Sequence, residues 1–447
     1  MIGTVKEKFS ESVRVLTAVY NGFSCESGNE KGVLYASDSR NCDCADGRLR
    51  CGLGEDLFTN CSGGWYYPTE TFTPLRIFLK PHKEEGAEAA TFRLGITTVA
   101  NTLYEYDKAE TAFKRFLEFA VGIRPVVAIG ETDDKKVSVY TSAGVWWYGR
   151  RIFAAHITAG CHFADRNFYA AKPYRIYFSA AGESTVFDES ANESGWLDLT
   201  ENGGDVVALV EHGDELYAFR EFGVLRLKAC GKASEFRVET LPYCGGVIYG
   251  DSVVSCGDKV FFLAADGLWT FDGAAFKKTR LGTRIRPHST VPNFRAAYAC
   301  GKYILQYADE NGENKSLVVA GDGENAYFAF FRNALSGSFG YALSYNGNGI
   351  RYATKSGNLP YGEKYYFKTQ CDLGETGRKT LRSLTVVGNG TVDVGVFNGE
   401  REERFALDLS RGEQTVRVDM KGGEFALSFE LTAGSEIRQV KAVAYAL

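Results

Sequence analysis

Short runs of Val, Leu, Phe and Tyr, broken by tight turns, recur through most of the 447-residue chain. Two copies of this pattern lie next to each other, at residues 206–231 and 251–282. Gly and Asp interrupt the runs, as in HGD at 212–214 and DG at 266–267. Runs of about four to eight β-forming residues separated by such turns predict strands joined in hairpins. Three or four such strands, after which the same pattern begins again, are typical of one β-propeller blade.

The pattern repeats about every 40 residues between Arg76 and Lys368, a spacing typical of propeller repeats, and it predicts six or seven blades. One segment differs, because Phe113 and Phe116 within residues 108–122 lie near helical spacing. This segment predicts a helix, with a strand as the alternative, since short aromatic-rich runs fit both.

Beyond a polar joint at residues 372–382 the pattern changes to strict alternation, as in VDVGV at 392–396 and FALSFEL at 425–431. Asn-Gly pairs at 389–390 and 398–399 separate these runs. Regular alternation predicts strands with one buried and one solvated face. The segment therefore predicts a separate antiparallel sheet structure.

The predicted fold class is all-β. Residues 1–375 are expected to form a β-propeller of six or seven blades, in which an N-terminal strand closes the ring. Residues 380–447 are expected to form a small C-terminal antiparallel β-sandwich. Aromatic residues at 14%, with 50 Gly against 9 Pro and 2 Met, agree with many strands and many turns.

The charge balance disfavours a protein whose main function is to bind nucleic acid. The chain has 56 acidic and 51 basic residues and a net charge of −5, whereas phosphate backbones select basic surfaces. Neither a secretory signal nor a run of about 18 apolar residues for a membrane helix is evident. The eleven Cys are therefore expected as reduced thiols in a cytosolic environment.

The motifs of common enzymes are missing from the chain, which contains no phosphate loop, HExxH or GxSxG sequence. The five His are scattered and predict no metal site: His82, His156, His162, His212 and His288. The densest cysteine group is Cys42, Cys44, Cys51 and Cys61. Its spacing lacks a CxxC element, so buried thiols are predicted, with zinc or a disulfide as alternatives. No catalytic, cofactor-binding or metal-binding residue is predicted, and the chain is not expected to be an enzyme.

Two acidic turns and three aromatic clusters have carbohydrate interpretations. The sequence DGLW at 266–269 partly matches the Asp-box of sialidase propellers, but Asp266 and Asp272 are predicted to accept hydrogen bonds within their own turns. A glycosidase needs two facing carboxylates, and the sequence does not identify a pair. The aromatic clusters at 65–67, 146–148 and 365–367 fit sugar stacking, yet core packing is the prediction.

Two passages resemble tailed-bacteriophage virion proteins. One has the pattern R-[IL]-[FY]-x-S followed by strand positions, here Arg175, Ile176, Tyr177, Ser179, Val206, Leu209, Leu216, Tyr217 and Phe219. The other is similar to an N-x-D-x-x-D-G-x-L sequence, here Asn41, Asp43, Asp46, Gly47 and Leu49, followed by Gly52, with Cys51 where Arg is commoner. The resemblance covers about residues 31–330, and it is strongest to the packaged-DNA stabilisation proteins of short-tailed phages.

The resemblance implies a virion structural protein of the neck or tail, assembled in the bacterial host cytoplasm. Its expected partners are other virion proteins, namely portal, adaptor or tail components. Several copies would form a homo-oligomeric ring around the portal or tail axis, with transient contact to packaged DNA and no membrane segment. Two alternatives stay open from the residues alone: a carbohydrate-binding or carbohydrate-active propeller with an accessory sandwich, and a cellular propeller interaction scaffold.

Overall fold

A computed structural model describes most of the chain between residues 14 and 446. The described residues are 14–26, 28–62, 65–68, 91–94, 102–107, 112–118, 127–129, 138–141, 144–147, 150–153, 155–183, 186–187, 193–200, 202–290, 293–331, 335–338, 341–345, 349–355, 357–374 and 377–446. Side chains are described outside residues 57–153 and 332–350. No helix in these ranges is long and apolar enough to span a membrane.

The regular elements over the described ranges are strands and short 3-10 turns. The strands are, in chain order, β1 (Arg14–Tyr20), β2 (Gly22–Ser24), β3 (Val33–Arg40), β4 (Cys42–Asp43), β5 (Leu49–Cys51), β6 (Gly54–Ser62), β7 (Trp65–Pro68), β8 (Thr91–Leu94), β9 (Thr102–Asp107), β10 (Ala112–Glu118), β11 (Val127–Ile129), β12 (Ser138–Thr141), β13 (Gly144–Trp147), β14 (Arg150–Phe153), β15 (Ile157–Phe163), β16 (Arg166–Ala171), β17 (Arg175–Phe178), β18 (Gly195–Asp198), β19 (Val206–His212), β20 (Glu215–Arg220), β21 (Gly223–Lys228), β22 (Arg237–Leu241), β23 (Val254–Cys256), β24 (Lys259–Ala264), β25 (Gly267–Phe271), β26 (Phe276–Lys278), β27 (Arg295–Ala299), β28 (Lys302–Ala308), β29 (Asn314–Ala320), β30 (Ala326–Ala329), β31 (Leu335–Ser338), β32 (Tyr341–Tyr345), β33 (Gly349–Thr354), β34 (Tyr365–Cys371), β35 (Lys379–Asn389), β36 (Thr391–Phe397), β37 (Glu402–Asp408), β38 (Glu413–Gly422), β39 (Phe425–Leu431) and β40 (Glu436–Ala446). The 3-10 turns are Ala45–Gly47, Ala233–Glu235, Gly250–Ser252 and Arg280–Arg284.

The chain divides into two compact units. The propeller unit comprises Gly54–Glu324 and Phe331–Gly357. The sandwich unit comprises Met1–Leu53, Asn325–Phe330 and Asn358–Leu447.

Four-stranded antiparallel sheets follow one another along the propeller unit: β11–β14, β15–β18, β19–β22 and β23–β26, each in sequence order. Strands β27, β28 and β29 pair in the same order. The first strand of each sheet contacts the first strand of the next, from β11 through β15, β19, β23 and β27 to β31. Consecutive sheets packed through their first strands are the blades of a β-propeller, so the predicted fold class is confirmed.

An eight-stranded sheet in the order β31-β32-β33-β6-β7-β10-β9-β8 holds the strands of two further blades. Counted as two blades, this sheet brings the number of blades formed by the described strands to seven, which agrees with the predicted six or seven. In this sheet β6 pairs with β33, with Glu55 opposite Ala353. The strand that completes the last blade is therefore β6, the N-terminal strand of the propeller unit.

The helix predicted at residues 108–122 is wrong, because β10 occupies this segment and pairs with β9. The register shifts between Arg115 and Leu117, which marks a β-bulge. A bulge interrupts the two-residue period of a strand. A spacing of three residues between Phe113 and Phe116, across this shift, is therefore compatible with a strand.

The sandwich unit consists of two sheets. One has the order β38-β35-β40-β5-β4, with β1 also pairing β40, and the other has the order β2-β3-β34-β39-β36-β37. The alternation seen in the sequence places Val392, Val394 and Val396 fully inside the core. Gly390 and Gly399 have φ of 84° and 94°, which confirms the two Asn-Gly turns.

The predicted sandwich boundary at residue 380 is corrected by this pairing. The sandwich unit also contains β34, which precedes the polar joint in the sequence. It contains as well the strands β1 to β5 from the first part of the chain. Val15, for example, lies opposite Tyr445 in the β1–β40 pair. Local alternation identifies a strand but not its partner, so pairing between distant segments was not evident from the sequence.

Candidate functional site

The best-defined polar constellation in the sandwich unit surrounds Asn41, which is fully buried. Its backbone adopts φ of 57°, a left-handed conformation that Asn tolerates better than most residues. Its side chain donates to the carbonyl of Lys364 at 3.0 Å and accepts from the N–H of Phe330 at 2.8 Å. Its backbone N–H donates to Phe328 at 2.8 Å, and its carbonyl accepts from Gly52 at 2.6 Å. Asn41 therefore ties together separate segments of this unit.

The other motif positions after Asn41 also shape the chain. Asp43 accepts a hydrogen bond from the N–H of Ala45 at 3.0 Å, as Asp does in an Asx-turn. Asp46 and Gly47 follow with φ of 61° and 69°, and Leu49 is fully buried. This motif of the resemblance is a folding element of the sandwich unit.

Directly beside this turn lies a group of thiols, here called the cysteine cluster: Cys25, Cys42, Cys44 and Cys51. The Sγ atoms of Cys25 and Cys44 are 3.1 Å apart, and the Cys25 thiol also donates to the carbonyl of Cys42 at 3.5 Å. Cys42 lies opposite Cys51 in the β4–β5 pair. Cys42 and Cys44 are buried, whereas Cys25 and Cys51 are half-buried.

The structure thus brings together three of the four cysteines that the sequence grouped. It adds Cys25, which the spacing did not reveal because β2 carries it to the turn from outside the motif. Of the predicted group, the side chain of Cys61 lies outside the described residues. Burial raises the pKa of Cys42 and Cys44 well above the usual value, with the neighbouring thiols contributing. Both are therefore protonated at neutral pH.

A metal site is not formed in the described part of the chain, where no three His, Cys, Asp or Glu side chains are arranged to hold an ion. The histidines there have other contacts. His162 bonds Asn167 at 2.9 Å, His212 bonds Ser255 at 3.1 Å, and His288 accepts from the N–H of Thr290 at 3.3 Å. His82 lies outside the described residues, and the backbone carbonyl of His156 accepts from the N–H of Lys172.

The two acidic turns are structural. Asp272 accepts hydrogen bonds from the N–H groups of Ala274 and Ala275 at 2.9 and 2.8 Å, which confirms a carboxylate that caps its own turn.

Asp266 differs, because its partners lie outside its turn. One oxygen accepts from the N–H of Gly246 at 2.9 Å and from the indole N–H of Trp269 at 3.1 Å, and the other contacts Lys278 at 3.0 Å. Burial opposes ionisation of Asp266, but these three donors outweigh it and lower its pKa. The carboxylate therefore joins β25, β26 and the loop after β22.

A buried arginine connects two neighbouring blades. Arg166 is 1% exposed, and its guanidinium donates to the carbonyl of Ser179 at 2.8 Å, to the carboxylate of Glu193 at 2.8 Å and to the carbonyl of Gly231 at 3.4 Å. It also lies 5.5 Å from the ring centre of Phe236. One side chain thus links the blade β15–β18 to the loop after β21.

The R-[IL]-[FY]-x-S part of the other resembling passage, residues 175–179, lies in that same blade. Arg175 pairs with Asp198 through two bonds of 2.6 and 3.1 Å and covers the ring of Trp196 at 4.7 Å. Ile176 and Ser179 are fully buried. The Ser179 hydroxyl accepts from the N–H of Asn167 at 3.0 Å. These residues hold the strands of one blade together.

Of the aromatic clusters, only 365–367 has described side chains. Tyr365 and Phe367 are buried in the sandwich core and Tyr366 is half-buried, so core packing is confirmed for two of the three. The side chains of the clusters at 65–67 and 146–148 lie outside the described residues.

A cleft of about 600 Å³ opens in the sandwich unit, and its walls are Gln370, Cys371, Asp372, Leu373, Gly374, Gly377, Lys379, Gly423, Glu424 and Phe425. Lys379 is 5% exposed, and its ammonium donates to the carbonyl of Gly423 at 3.3 Å. Burial raises the pKa of Cys371 to about 11, so this thiol is protonated at neutral pH.

Comparison with known proteins yields no family. No protein-family model matches the chain, and no curated protein matches it. Among solved structures, BamB from Moraxella catarrhalis is 14% identical, with 71% of this chain and 94% of BamB covered and a TM-score of 0.39. The computationally designed protein Ika8 is 13% identical, with coverages of 66% and 99% and a TM-score of 0.34. An exo-β-1,3-galactanase from Phanerochaete chrysosporium is 11% identical, with coverages of 78% and 95% and a TM-score of 0.23. At identities this low a shared activity does not follow.

Proposed function

We propose that the chain is a structural protein of a bacteriophage or prophage-derived virion, located in the neck or tail. Several copies assemble around the portal or tail axis and form or seal the conduit for DNA. The observation that carries the proposal is the resemblance of residues 41–54 and 152–227 to tailed-phage virion proteins.

The roles of the resembling residues support this proposal. Asn41 joins segments of the sandwich unit, and Arg175 and Ser179 bind together the strands of one blade. Residues with such roles maintain shape, which is what a conduit requires. A protein that acts through its shape does not need a nucleophile, a metal or a cofactor.

The charge of the chain also supports a conduit. Its net charge is −5, and an acidic wall repels the phosphate backbone instead of retaining it. DNA contact would then be transient, as passage through a conduit requires.

Mass photometry of the purified chain at micromolar concentration, together with cryo-EM of the parent particle, tests the proposal. The expected result is a closed ring with one defined copy number and density for the chain in the neck or tail. A stable monomer whose melting temperature rises with a specific sugar would contradict the proposal and favour the carbohydrate alternative. Absence of portal and terminase genes beside its own would favour the cellular scaffold.

Exposed apolar side chains offer a sharper test of ring assembly. Phe222 is 62% exposed in the turn between β20 and β21, and exposed aromatic residues are typical anchors of interfaces. If this turn lies in the interface between copies of the chain, Phe222→Ser is expected to lower the fraction of chains that assemble into the ring. Glu310→Ser, in the exposed turn between β28 and β29, is the matched control.

A further inference from the structure

The closest approach within the cysteine cluster is between Cys25 and Cys44. Their Sγ atoms are 3.1 Å apart as thiols, and a disulfide needs about 2.05 Å. A displacement of about 1 Å would therefore bring the two sulfurs to bonding distance. Cys25 directly follows β2, and Cys44 directly precedes the 3-10 turn Ala45–Gly47. Rotation of the two side chains, rather than movement of a strand, can supply such a displacement.

We propose that Cys25 and Cys44 are a site of oxidative modification, at which a low-molecular-weight disulfide such as oxidised glutathione produces an intramolecular disulfide. The Cys25 thiolate attacks one sulfur of the oxidant, its S–S bond breaks, and one glutathione leaves as thiolate. The Cys44 thiol then loses its proton and attacks Sγ of Cys25, and the second glutathione leaves as thiolate. In sum, one oxidant is reduced to two thiols and two protein thiols are oxidised to one disulfide.

The order of the two steps follows from the different exposure of the two thiols to the oxidant. Cys25 is half-buried and meets the oxidant, whereas Cys44 is 7% exposed. Burial and the neighbouring Cys25 raise the pKa of Cys44, so this thiol reacts poorly with an external oxidant. Once Cys25 carries glutathione, the second step is intramolecular, and proximity compensates for the small thiolate fraction.

The other pair in the cluster, Cys42 and Cys51, is a poorer site. Cys42 is fully buried. The Cys51 thiol donates to the carbonyl of Thr432 at 3.1 Å. Selectivity for Cys25 and Cys44 therefore follows from the 3.1 Å between their sulfurs and from the access of an oxidant to Cys25.

The new bond would fasten the end of β2 to the turn that follows Asn41. It would close a loop between residues 19 positions apart in sequence, and loop closure removes conformations from the unfolded chain. The oxidised protein should therefore unfold at a higher temperature than the reduced protein.

The test treats the full-length reduced protein with oxidised glutathione, blocks remaining thiols, and maps tryptic peptides without reduction. Cleavage after Lys31 and Arg40 places Cys25 on one peptide and both Cys42 and Cys44 on another. The expected product joins these two peptides. It should persist in Cys42→Ala and in the surface control Cys300→Ser, and it should disappear in Cys44→Ala, where Cys25 instead keeps glutathione.

Three results would overturn the proposal. They are an unmodified Cys25 in the wild-type protein, a linked product that persists in Cys44→Ala, and a Cys42–Cys51 linkage formed in place of the expected one. Circular dichroism of each variant before oxidation shows whether it is folded. Should Cys44→Ala be unfolded, Cys44→Ser and sequencing of the wild-type linked peptide by fragmentation distinguish Cys42 from Cys44.

Discussion

The carboxamide oxygen of Asn41 accepts a hydrogen bond of 2.8 Å from the backbone N–H of Phe330, 289 positions further along the chain. The same side chain donates to Lys364 at 3.0 Å, so three distant segments meet at one fully buried residue. Buried polar groups that lose their partner cost the full desolvation of that group. The stability of the sandwich unit should therefore depend strongly on this one side chain.

We expect Asn41→Ala to lower the free energy of unfolding by about 1–3 kcal/mol, because the N–H of Phe330 and the carbonyl of Lys364 both lose their partner at a fully buried residue. Urea denaturation followed by circular dichroism measures the change. Asn29→Ala, at an exposed position of the same unit, is the control and should change stability by less than about 0.5 kcal/mol. Equal effects of the two variants would contradict the role given to Asn41.

Gly52 lies next to the same constellation. A Cβ added here would lie 2.5 Å from Cε2 of Tyr327 and 2.6 Å from the carbonyl oxygen of Asn41. We expect Gly52→Ala to cost about 1–3 kcal/mol, since a packed core resists added atoms. At Gly223 the added Cβ meets nothing within 4 Å, so Gly223→Ala is the matched control. Thermal unfolding of both variants would reveal the difference, and a wild-type melting temperature for Gly52→Ala would refute the steric argument.

Arg166 should contribute strongly to the stability of the propeller unit. Its replacement by Met leaves the carbonyls of Ser179 and Gly231 and the carboxylate of Glu193 without their donor. The expected loss of stability is about 1–3 kcal/mol, because the buried carbonyl of Ser179 loses its donor, whereas Glu193 is 39% exposed and can be solvated. Arg175→Met removes the exposed pair with Asp198 and should cause a clearly smaller shift in the urea midpoint. The prediction fails if the two midpoints coincide.

The stability of the propeller unit should fall in acid partly because of Asp266. Its donors lower its pKa in the folded state, below the value of about 3.9 for an unfolded Asp. Its contribution is therefore complete above about pH 4 and is lost as the pH falls through the folded pKa. Between about pH 5 and pH 2, Asp266→Asn should lose less stability than the wild-type protein, because it has no carboxylate to protonate at this position. Lys278→Met, which removes the cation at 3.0 Å, should have the same effect. Acid titrations of unfolding that superimpose on the wild type would contradict this assignment.

Local chemistry determined much of the fold. Alternation at Val392, Val394 and Val396 identified a strand with one buried face, because the two-residue period of a strand is independent of its partners. The Asn-Gly turn at 389–390 was equally evident, since few residues other than Gly adopt positive φ readily. The repeated strand pattern likewise identified blades before any pairing was known.

Tertiary structure alone decided which strands pair and which side chains meet. Tyr20 and Val440 are opposite each other in the β1–β40 pair, although each lies in a strand whose own pattern is compatible with several partners. The approach of Cys25 to Cys44 has the same origin, since β2 brings a residue from outside the motif to the turn. Sequence patterns report the periodicity of one segment at a time. Pairing between segments depends on the packing of the whole unit, and that packing placed the thiols, the buried Asn41 and the boundary of the sandwich.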